Sequence, residues 1–295
     1  MTGIKNETIH ELVVEVSSNN IGDIDVLKGL LCNIGIPENE IIECERWPYT
    51  SLSVFYKSQA KAMILRKQLR AFRLNGVSVA IKGLRKKDWK TKWKQKFKPF
   101  ALTRSFKVVP AAYRHRHRSR GKAPIFIDTE LTFGTGLHAT TRFMAQFIEE
   151  CKGRFQSFLD IGTGTGILSI IAEKCGAEDI KAIDVSQDAV KVARQNSFEN
   201  KCGCIDVRKA DVQKYSLKKQ YDFVAANIIT KELIRMADKI IGFVRPGKYL
   251  AVSGISINNY AFFRKVYNRY PLKCVRIHKG QGWVGVLYKK LHQKN

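Results

Sequence analysis

The sequence predicts an α/β fold with a mostly parallel seven-stranded sheet, preceded by a smaller α+β domain. An apolar run at residues 158–161 leads into glycines spaced Asp-x-Gly-x-Gly-x-Gly, and helical spacing follows at residues 167–174. Strands and helices then alternate as far as residue 270, and a hairpin of residues 272–277 and 283–288 ends the pattern. Residues 1–82 instead show a β-α-β-β-α-β order, which predicts a separate ferredoxin-like domain.

In this small domain the two helices are set between four strands. The strands are predicted at residues 9–16, 41–46, 52–56 and 77–81, and the helices at residues 24–34 and 59–72. We expect Ala60, Met63, Ile64 and Leu69 to form the apolar face of the second helix. No residue pattern in this domain indicates catalysis, so its predicted role is substrate recognition, with dimerisation as the alternative.

Residues 83–122 are predicted to form a basic linker ahead of the larger domain, residues 123–295. Trp89, Trp93, Phe97 and Phe100 recur every three or four residues among lysines, which favours an amphipathic helix over stacking of the rings on bases. Residues 114–120 alternate arginine with histidine or serine and are expected to form a solvated loop, with a phosphate contact as the alternative. A metal site is disfavoured there because each histidine stands between arginines.

The charge bears on partners more than on fold. The chain has 52 Lys+Arg against 26 Asp+Glu, a net charge of +26. This balance favours contact with nucleic acid, such as rRNA through the basic linker, although a basic proteome would give the same charge. No apolar run reaches the ~20 residues of a membrane-spanning helix, and the N-terminus lacks a signal peptide's apolar core. We therefore expect a cytoplasmic protein, without membrane contact, whose seven cysteines are reduced thiols.

A ligand crevice is predicted where the parallel strands end. Glycines at a strand-to-helix turn let backbone approach a ligand, and the new helix directs its N–H groups toward it. Asp184 ends the next predicted strand, where doubly wound folds place an acid that binds ribose. These residues alone do not exclude NAD as the ligand. The residues expected at this crevice are Gly162, Gly164, Gly166, Asp184, Asp211 and Asn227.

A second glycine loop lies upstream, at residues 132–141. We predict that Thr140 or Thr141 caps the helix that follows it and extends to about residue 150. Because this helix leads directly into the central strand, its N-terminus is expected to lie near the crevice.

Four stretches carry a family resemblance. They are Phe-Gly-Thr-Gly-Leu-His-Ala-Thr-Thr at residues 133–141, Asp-Ile-Gly-Thr-Gly-Thr-Gly-Ile-Leu at residues 160–168, Val-Ala-Ala-Asn-Ile at residues 224–228, and a linker pattern with Asp88, Trp89, Trp93 and residues 97–99. Together they resemble the ribosomal protein L11 methyltransferase family (PrmA), class I S-adenosylmethionine-dependent methyltransferases that methylate amines of a large-subunit ribosomal protein. The resemblance implies a Rossmann-like domain, S-adenosyl-L-methionine as cofactor and that ribosomal protein as substrate. We expect a monomer.

The resemblance also assigns site residues. It implies that Asn227 lies beside the reacting centre and that the loop around Thr135 and Gly136 lies over the cofactor and the target amine. We predict Asn227 and Thr135 as catalytic residues, with His138 as an alternative general base. The predicted cofactor-binding residues are Thr141, Gly162, Gly164, Gly166, Asp184, Asp211 and Asn227.

Three other functions stay open. Residues 227–230 lack the Asn-Pro-Pro-aromatic run of enzymes that methylate planar amides and base amino groups, which argues against those targets. The alternatives are methylation of rRNA, methylation of lysine in another protein, and a basic ribosome-binding module with a vestigial cofactor site.

Overall fold

A computed structural model describes the chain at residues 8–17, 27, 31, 36, 41–46, 49–56, 58–71, 77–85, 98–116, 121–128, 136, 138–214 and 219–292. The chain divides into two compact units, residues 1–96 and 97–295. The predicted limits at residues 82 and 122 differ from this division, because the second half of the predicted linker belongs to the larger unit.

The first unit is an antiparallel sheet with a helix. Its elements are β1 (Thr8–Ser17), β2 (Ile42–Arg46), β3 (Tyr49–Tyr56), α1 (Gln59–Ala71) and β4 (Val77–Arg85). The sheet order is β2-β3-β1-β4, so β1 pairs with β3 on one side and β4 on the other. A β-α-β-β-α-β chain places its strands in this way. The helix predicted at residues 24–34 is described only at Leu27 and Leu31, both helical and buried.

The apolar face predicted for α1 is correct at Leu69 and wrong at Ala60, Met63 and Ile64. Ala62, Leu65 and Leu69 are buried, whereas Met63 and Ile64 are 49% and 60% exposed. Positions 62, 65 and 69 follow the i, i+3, i+7 spacing of one helix face, and they pack toward the sheet core. The helix carries more apolar residues than one face holds, and packing on the sheet decides which of them are buried.

The second unit contains the predicted seven-stranded sheet. Its strands are β8 (Ser157–Ile161), β9 (Asp179–Asp184), β10 (Ile205–Lys209), β11 (Tyr221–Asn227), β12 (Val244–Ser256), β13 (Leu272–Gly280) and β14 (Trp283–Lys290). Their order is β10-β9-β8-β11-β12-β14-β13. From β10 to β12 all pairs are parallel, and β14 is antiparallel to both its neighbours. The prediction of a mostly parallel α/β sheet with one reversed strand is confirmed.

Helices cover both faces of this sheet. They are α2 (Ala139–Glu150), α3 (Ile167–Lys174), α4 (Gln187–Glu199), α5 (Thr230–Arg235), α6 (Ala237–Gly242) and α7 (Tyr260–Tyr267). Successive strand residues point to opposite faces, so Phe158 packs in the core with α2 and α3, and Leu159 in the core with α5, α6 and α7. One helix predicted at residues 233–243 is instead two, α5 and α6, separated at Met236.

No helix among the described residues combines the length and the apolar character needed to cross a membrane.

A three-stranded sheet precedes α2. It contains β5 (Phe100–Ala101), β6 (Phe106–Pro110) and β7 (Ala123–Ile127), with a 3₁₀ turn at Ala111–Arg116 between the last two. Arg114 in this turn forms an ion pair with Glu199 and lies over the ring of Phe126, 5.3 Å from its centroid. This arginine therefore contributes to packing within the unit, where a solvated loop was predicted. Of the amphipathic helix predicted from Trp89 to Phe100, the part up to residue 97 lies outside the described residues. Phe100 belongs to strand β5, so the prediction of a helix is wrong at this residue.

Candidate active site

The predicted crevice residues lie at the carboxyl edge of the parallel sheet. The glycine loop follows β8, Asp184 ends β9, Asp211 follows β10, and Asn227 ends β11. Because β8 lies between β9 and β11, the glycine loop is flanked by Asp184 on one side and Asn227 on the other. Ligands of open α/β sheets bind at this edge, where neighbouring helices turn to opposite faces.

The carboxylate of Asp184 is bonded to the glycine loop. Its Oδ2 accepts a hydrogen bond from the backbone N–H of Gly164 at 3.0 Å, and its Oδ1 accepts one from Ser186 N–H at 2.9 Å. The N–H groups of Gly162 and Thr163 donate to the carbonyl of Ile183, and Ala210 N–H donates to the carbonyl of Asp184. These bonds connect the ends of β8, β9 and β10 into one continuous wall of the crevice.

The three glycines have left-handed backbone angles but different surroundings. Gly162, Gly164 and Gly166 have φ values of 72°, 55° and 80°, which residues with a Cβ rarely adopt. A Cβ on Gly162 would lie 2.7 Å from the Ile228 side chain, and one on Gly166 would lie 3.2 Å from both Cα and Cβ of Ala193. Gly166 therefore serves close packing of the loop on α4, and lining of the cofactor site by all three glycines stays a prediction.

Gly166→Ala tests this packing role. We expect the variant to lose about 2–4 kcal/mol of unfolding free energy, from the left-handed backbone and from overlap with Ala193. Gly153→Ala is the matched control, because Gly153 has φ 75° and a Cβ added there would meet no atom within 4 Å, so only the backbone effect applies. Urea unfolding of both variants measures the difference. Equal losses would show that contact with α4 does not require glycine at residue 166.

Asp160 is a functional candidate that the sequence reasoning did not single out. The side chain is fully buried below the glycine loop, and its Oδ2 accepts hydrogen bonds from the Thr163 and Ser169 hydroxyls, both at 2.8 Å. No hydrogen-bond donor among the described residues reaches Oδ1. Burial raises the pKa of Asp160 to about 6, against the lowering effect of the two hydroxyls. A buried carboxylate with an unfilled acceptor is suited to a cationic or N–H donor of a ligand. Its position two residues before the first glycine was the available sequence signal.

Asp160→Asn should change both pH dependence and ligand binding. Because the folded pKa of Asp160 lies above its ordinary 3.8, the folded chain retains a proton that the unfolded chain releases. Stability should then fall by up to about 3 kcal/mol as pH rises from ~4 to ~6, and change little above that. The asparagine variant should lack this component and bind S-adenosylhomocysteine more weakly. Urea unfolding at pH 4.5 and 7.5, with calorimetry at pH 7.5, measures both effects. Parallel pH profiles of the two proteins would contradict the burial argument.

Asn227 is held by the helix that follows the second glycine loop. Its Nδ2 donates to Oγ1 of Thr141 at 3.5 Å, and Thr141 lies buried in the first turn of α2. The other amide atom, Oδ1, is buried and receives no hydrogen bond from the described residues. Asn227 therefore presents an unfilled acceptor at the sheet edge beside the glycine loop.

The backbone after Asn227 is packed against β12. A Cβ on Gly254 would collide with the carbonyl oxygen of Ile228, and Thr230 Oγ1 donates to the Gly254 carbonyl at 3.2 Å. Gly254 has φ 86°, so this close approach requires glycine. The peptide groups after Asn227 are thus fixed in place as firmly as its side chain.

His138, and not a threonine, caps α2. Its Nδ1 accepts a hydrogen bond from Thr140 N–H at 3.4 Å and lies 2.7 Å from Thr140 Oγ1, so the predicted threonine cap is wrong. The imidazole also meets the Trp283 ring edge-on, with centroids 5.0 Å apart. Burial lowers the pKa of His138 below its ordinary value of 6.5. This imidazole is neutral at pH 7, and one ring nitrogen is occupied by the cap.

The remaining predicted residues are placed less fully. Thr135 lies outside the described residues, whereas Gly136 is buried with φ 90° and has Val108, Ile167 and Phe100 around its Cα. Asp211 is half-buried, and its Oδ1 accepts a hydrogen bond from Gln213 N–H at 2.9 Å. Within the described part of the chain, no group of three His, Cys, Asp or Glu side chains could hold a metal ion.

Comparisons with known proteins identify the family. The sequence model described as "Ribosomal protein L11 methyltransferase (PrmA)" matches residues 5–291. The chain belongs to this family. The ribosomal protein L11 methyltransferase of Geotalea daltonii is 34% identical over 215 residues, 69% of this chain and 68% of that protein. The enzyme of the same name from Staphylococcus saprophyticus is 32% identical over 209 residues, 70% of this chain and 67% of that protein.

A solved structure agrees with the fold. The ribosomal protein L11 methylase of Lactobacillus delbrueckii subsp. bulgaricus superposes with a TM-score of 0.62 at 23% identity, covering 66% of this chain and all of that one. The methyltransferase fold predicted for the larger unit is confirmed. As a PrmA family member, this chain is a protein methyltransferase whose methyl donor is S-adenosyl-L-methionine.

The crevice has groups that fit this cofactor. The methionine part of S-adenosyl-L-methionine carries an ammonium donor, and Asp160 Oδ1 is a buried acceptor without a partner among the described residues. The ribose carries two hydroxyl donors, and Asp184 is a carboxylate at the end of β9. Left-handed glycines leave the loop without side chains where the backbone turns toward this edge. The donor and acceptor chemistry of cofactor and crevice is complementary.

Proposed function

We propose that this PrmA family member transfers methyl groups from S-adenosyl-L-methionine to lysine side-chain and N-terminal amines of the large-subunit ribosomal protein L11. The observation that carries the proposal is the Asn227 amide, fixed through Thr141 with a buried, unfilled Oδ1 beside the glycine loop. An amine nitrogen that attacks a methyl group has N–H bonds to donate, and an amide oxygen can orient it by accepting one.

The target amine must be uncharged to react. A lysine with pKa about 10.4 needs roughly 4–5 kcal/mol to lose its proton at pH 7, at about 1.4 kcal/mol per pH unit. When bound, S-adenosyl-L-methionine supplies the electrophilic methyl group and a positive sulfonium. Removal from water and the neighbouring positive sulfonium favour the neutral amine over the ammonium. Asn227 Oδ1 and the fixed peptide carbonyls after it then orient the amine by accepting its N–H groups. We propose that these groups accelerate methyl transfer by positioning the amine, and that no strong base is needed.

His138 does not act as the base in this proposal. Its Nδ1 is engaged by the cap of α2, and its lowered pKa makes it a weaker base than an ordinary histidine. We propose that it holds the N-terminus of α2, and so Thr141, in place. Thr135 is proposed to approach the amine from the loop before α2.

The other site residues are proposed to hold the cofactor. Asp184 accepts hydrogen bonds from the ribose hydroxyls. Thr141 and the glycine loop line the methionine part. Asp211, which follows the next strand along the same edge, also contacts the cofactor. Asp160 accepts the ammonium group from below the loop.

The proposal extends to partners and location. We place the enzyme in the cytoplasm as a monomer that meets the ribosomal protein free or on the large subunit. The net charge of +26 supports a contact between the basic linker and rRNA. Arg114 is excluded from that contact by its ion pair with Glu199.

Intact-mass spectrometry tests the substrate. Purified L11, a mixture of the other large-subunit ribosomal proteins and naked large-subunit rRNA are incubated separately with the enzyme and tritiated S-adenosyl-L-methionine. We expect label in the protein, mass increments in steps of one methyl group, and tandem spectra that place them on lysine and N-terminal nitrogens. Label confined to RNA would support the rRNA alternative, and label in other ribosomal proteins but not L11 would support another lysine target. Absence of S-adenosylhomocysteine binding by calorimetry would support the vestigial-site alternative.

A further inference from the structure

Two buried asparagines one helical turn apart attach α4 to the end of β7. The side chain of Asn200 bonds both backbone groups of Phe126, accepting from its N–H at 2.9 Å and donating to its carbonyl at 2.6 Å. Asn196 Oδ1 accepts from the N–H of Asp128 at 2.8 Å. Four residues of helix rise about 6 Å and two residues of strand about 6.6 Å. The two amides therefore match the strand spacing and pair with it as a neighbouring strand would.

Asn196 contacts the glycine loop, whereas the further bond of Asn200 Nδ2 goes to the carbonyl of Asn196 itself, at 2.8 Å. Asn196 Nδ2 donates to the carbonyl of Thr165 at 2.8 Å, between the second and third glycines of the cofactor loop. The side chain is fully buried, and Gly166 packs directly on Ala193 of the same helix. One planar amide thus bonds the cofactor loop on one side and Asp128, the residue that follows β7, on the other.

We propose that Asn196 is a positioning residue that couples the cofactor loop to the end of β7 at Asp128. An asparagine amide presents its acceptor and its donors in one fixed plane, so displacement of either segment breaks a buried hydrogen bond. A loop ordered by cofactor then stabilises the position of Asp128, and displacement of the end of β7 weakens cofactor binding in turn. The inference rests on the proposed cofactor-binding role of the glycine loop.

Asn196→Asp separates the two contacts. The variant keeps an acceptor for Asp128 N–H but places an oxygen against the Thr165 carbonyl. Asn200→Asp is the control one turn away. It places an oxygen against the carbonyls of Phe126 and Asn196, which both accept from Asn200 Nδ2, and it has no contact with the glycine loop. Calorimetric titration with S-adenosylhomocysteine and steady-state kinetics are measured on both, with thermal melts to compare stability.

We expect Asn196→Asp to raise the Kd for S-adenosylhomocysteine and the KM for the cofactor about tenfold relative to Asn200→Asp, at comparable melting temperatures. If both variants bind S-adenosylhomocysteine with equal affinity while the unmodified enzyme binds it normally, the coupling role is overturned and the proposed function is not affected. Failure of the unmodified enzyme to bind S-adenosylhomocysteine would instead count against the proposed function.

A second measurement uses the unmodified chain, so it does not depend on the folding of a variant. Amide hydrogen exchange is followed by NMR with and without S-adenosylhomocysteine. We expect binding to slow exchange at the Asp128 amide and to leave the Phe126 amide, which is bonded to Asn200, unchanged. An Asp128 amide whose exchange is insensitive to ligand would overturn the proposal.

Discussion

Asn227→Ala is expected to reduce kcat for methyl transfer about 100-fold, with a smaller effect on the KM for cofactor. The change removes the buried acceptor that orients the amine, and loss of alignment of reacting groups by about 1 Å has an effect of this size. Thr141→Val should give a weaker loss, about tenfold, because it removes only the hydroxyl that accepts from Asn227 Nδ2. Single-turnover assays with L11 and saturating S-adenosyl-L-methionine measure both variants.

His138→Ala is the discriminating comparison. It removes the cap of α2 and the contact with Trp283, so we expect reduced stability and a moderate loss of rate. If His138→Ala abolishes turnover while Asn227→Ala leaves kcat nearly unchanged, the imidazole is the base. The positioning role proposed for Asn227 would then be wrong.

Asp184→Asn is expected to raise the Kd for S-adenosylhomocysteine about 30- to 100-fold. The substitution retains the side-chain shape but removes a charge that accepts from Gly164 and Ser186 and that is proposed to bind the ribose hydroxyls. Hydrogen bonds to a charged acceptor contribute about 1.5–3 kcal/mol each, which corresponds to this change. Calorimetry at pH 7.5 measures it.

Asp179→Asn provides the control for that experiment. Asp179 begins the same strand, β9, at the opposite edge of the sheet, and forms an exposed ion pair with Lys219. Cofactor affinity should be unchanged in this variant, because the charge lost is remote from the crevice. A similar loss of affinity in both variants would indicate a general effect of charge on the sheet and not a ribose contact.

Local patterns predicted the sheet and its loops well. Strand β11, at residues 221–227, and helix α3, at residues 167–174, have the predicted limits. Both are bounded by residues whose effect is local. Asn227 ends the apolar run of residues 223–226, and Gly166 starts a helix from a left-handed backbone angle. The placement of Asp184, Asp211 and Asn227 at the carboxyl edge followed from their positions at the ends of predicted parallel strands.

Features that depend on tertiary packing were not predictable in this way. The buried face of α1 is set by the sheet, and the interruption at Met236 divides a region of continuous helical spacing. The contacts of Asn196 join residues 31 and 68 positions away, so no spacing in the sequence indicates them. The unfilled oxygen of Asp160 is likewise visible only once its neighbours are placed.

A crystal structure with S-adenosylhomocysteine and a lysine-containing L11 peptide tests the central claim most directly. The account predicts the nucleoside at the carboxyl edge of β8 and β9, its ribose hydroxyls on Asp184, and the lysine nitrogen within hydrogen-bond distance of Asn227 Oδ1. A nucleoside bound elsewhere, or a lysine nitrogen directed at His138 with Asn227 out of reach, would contradict it.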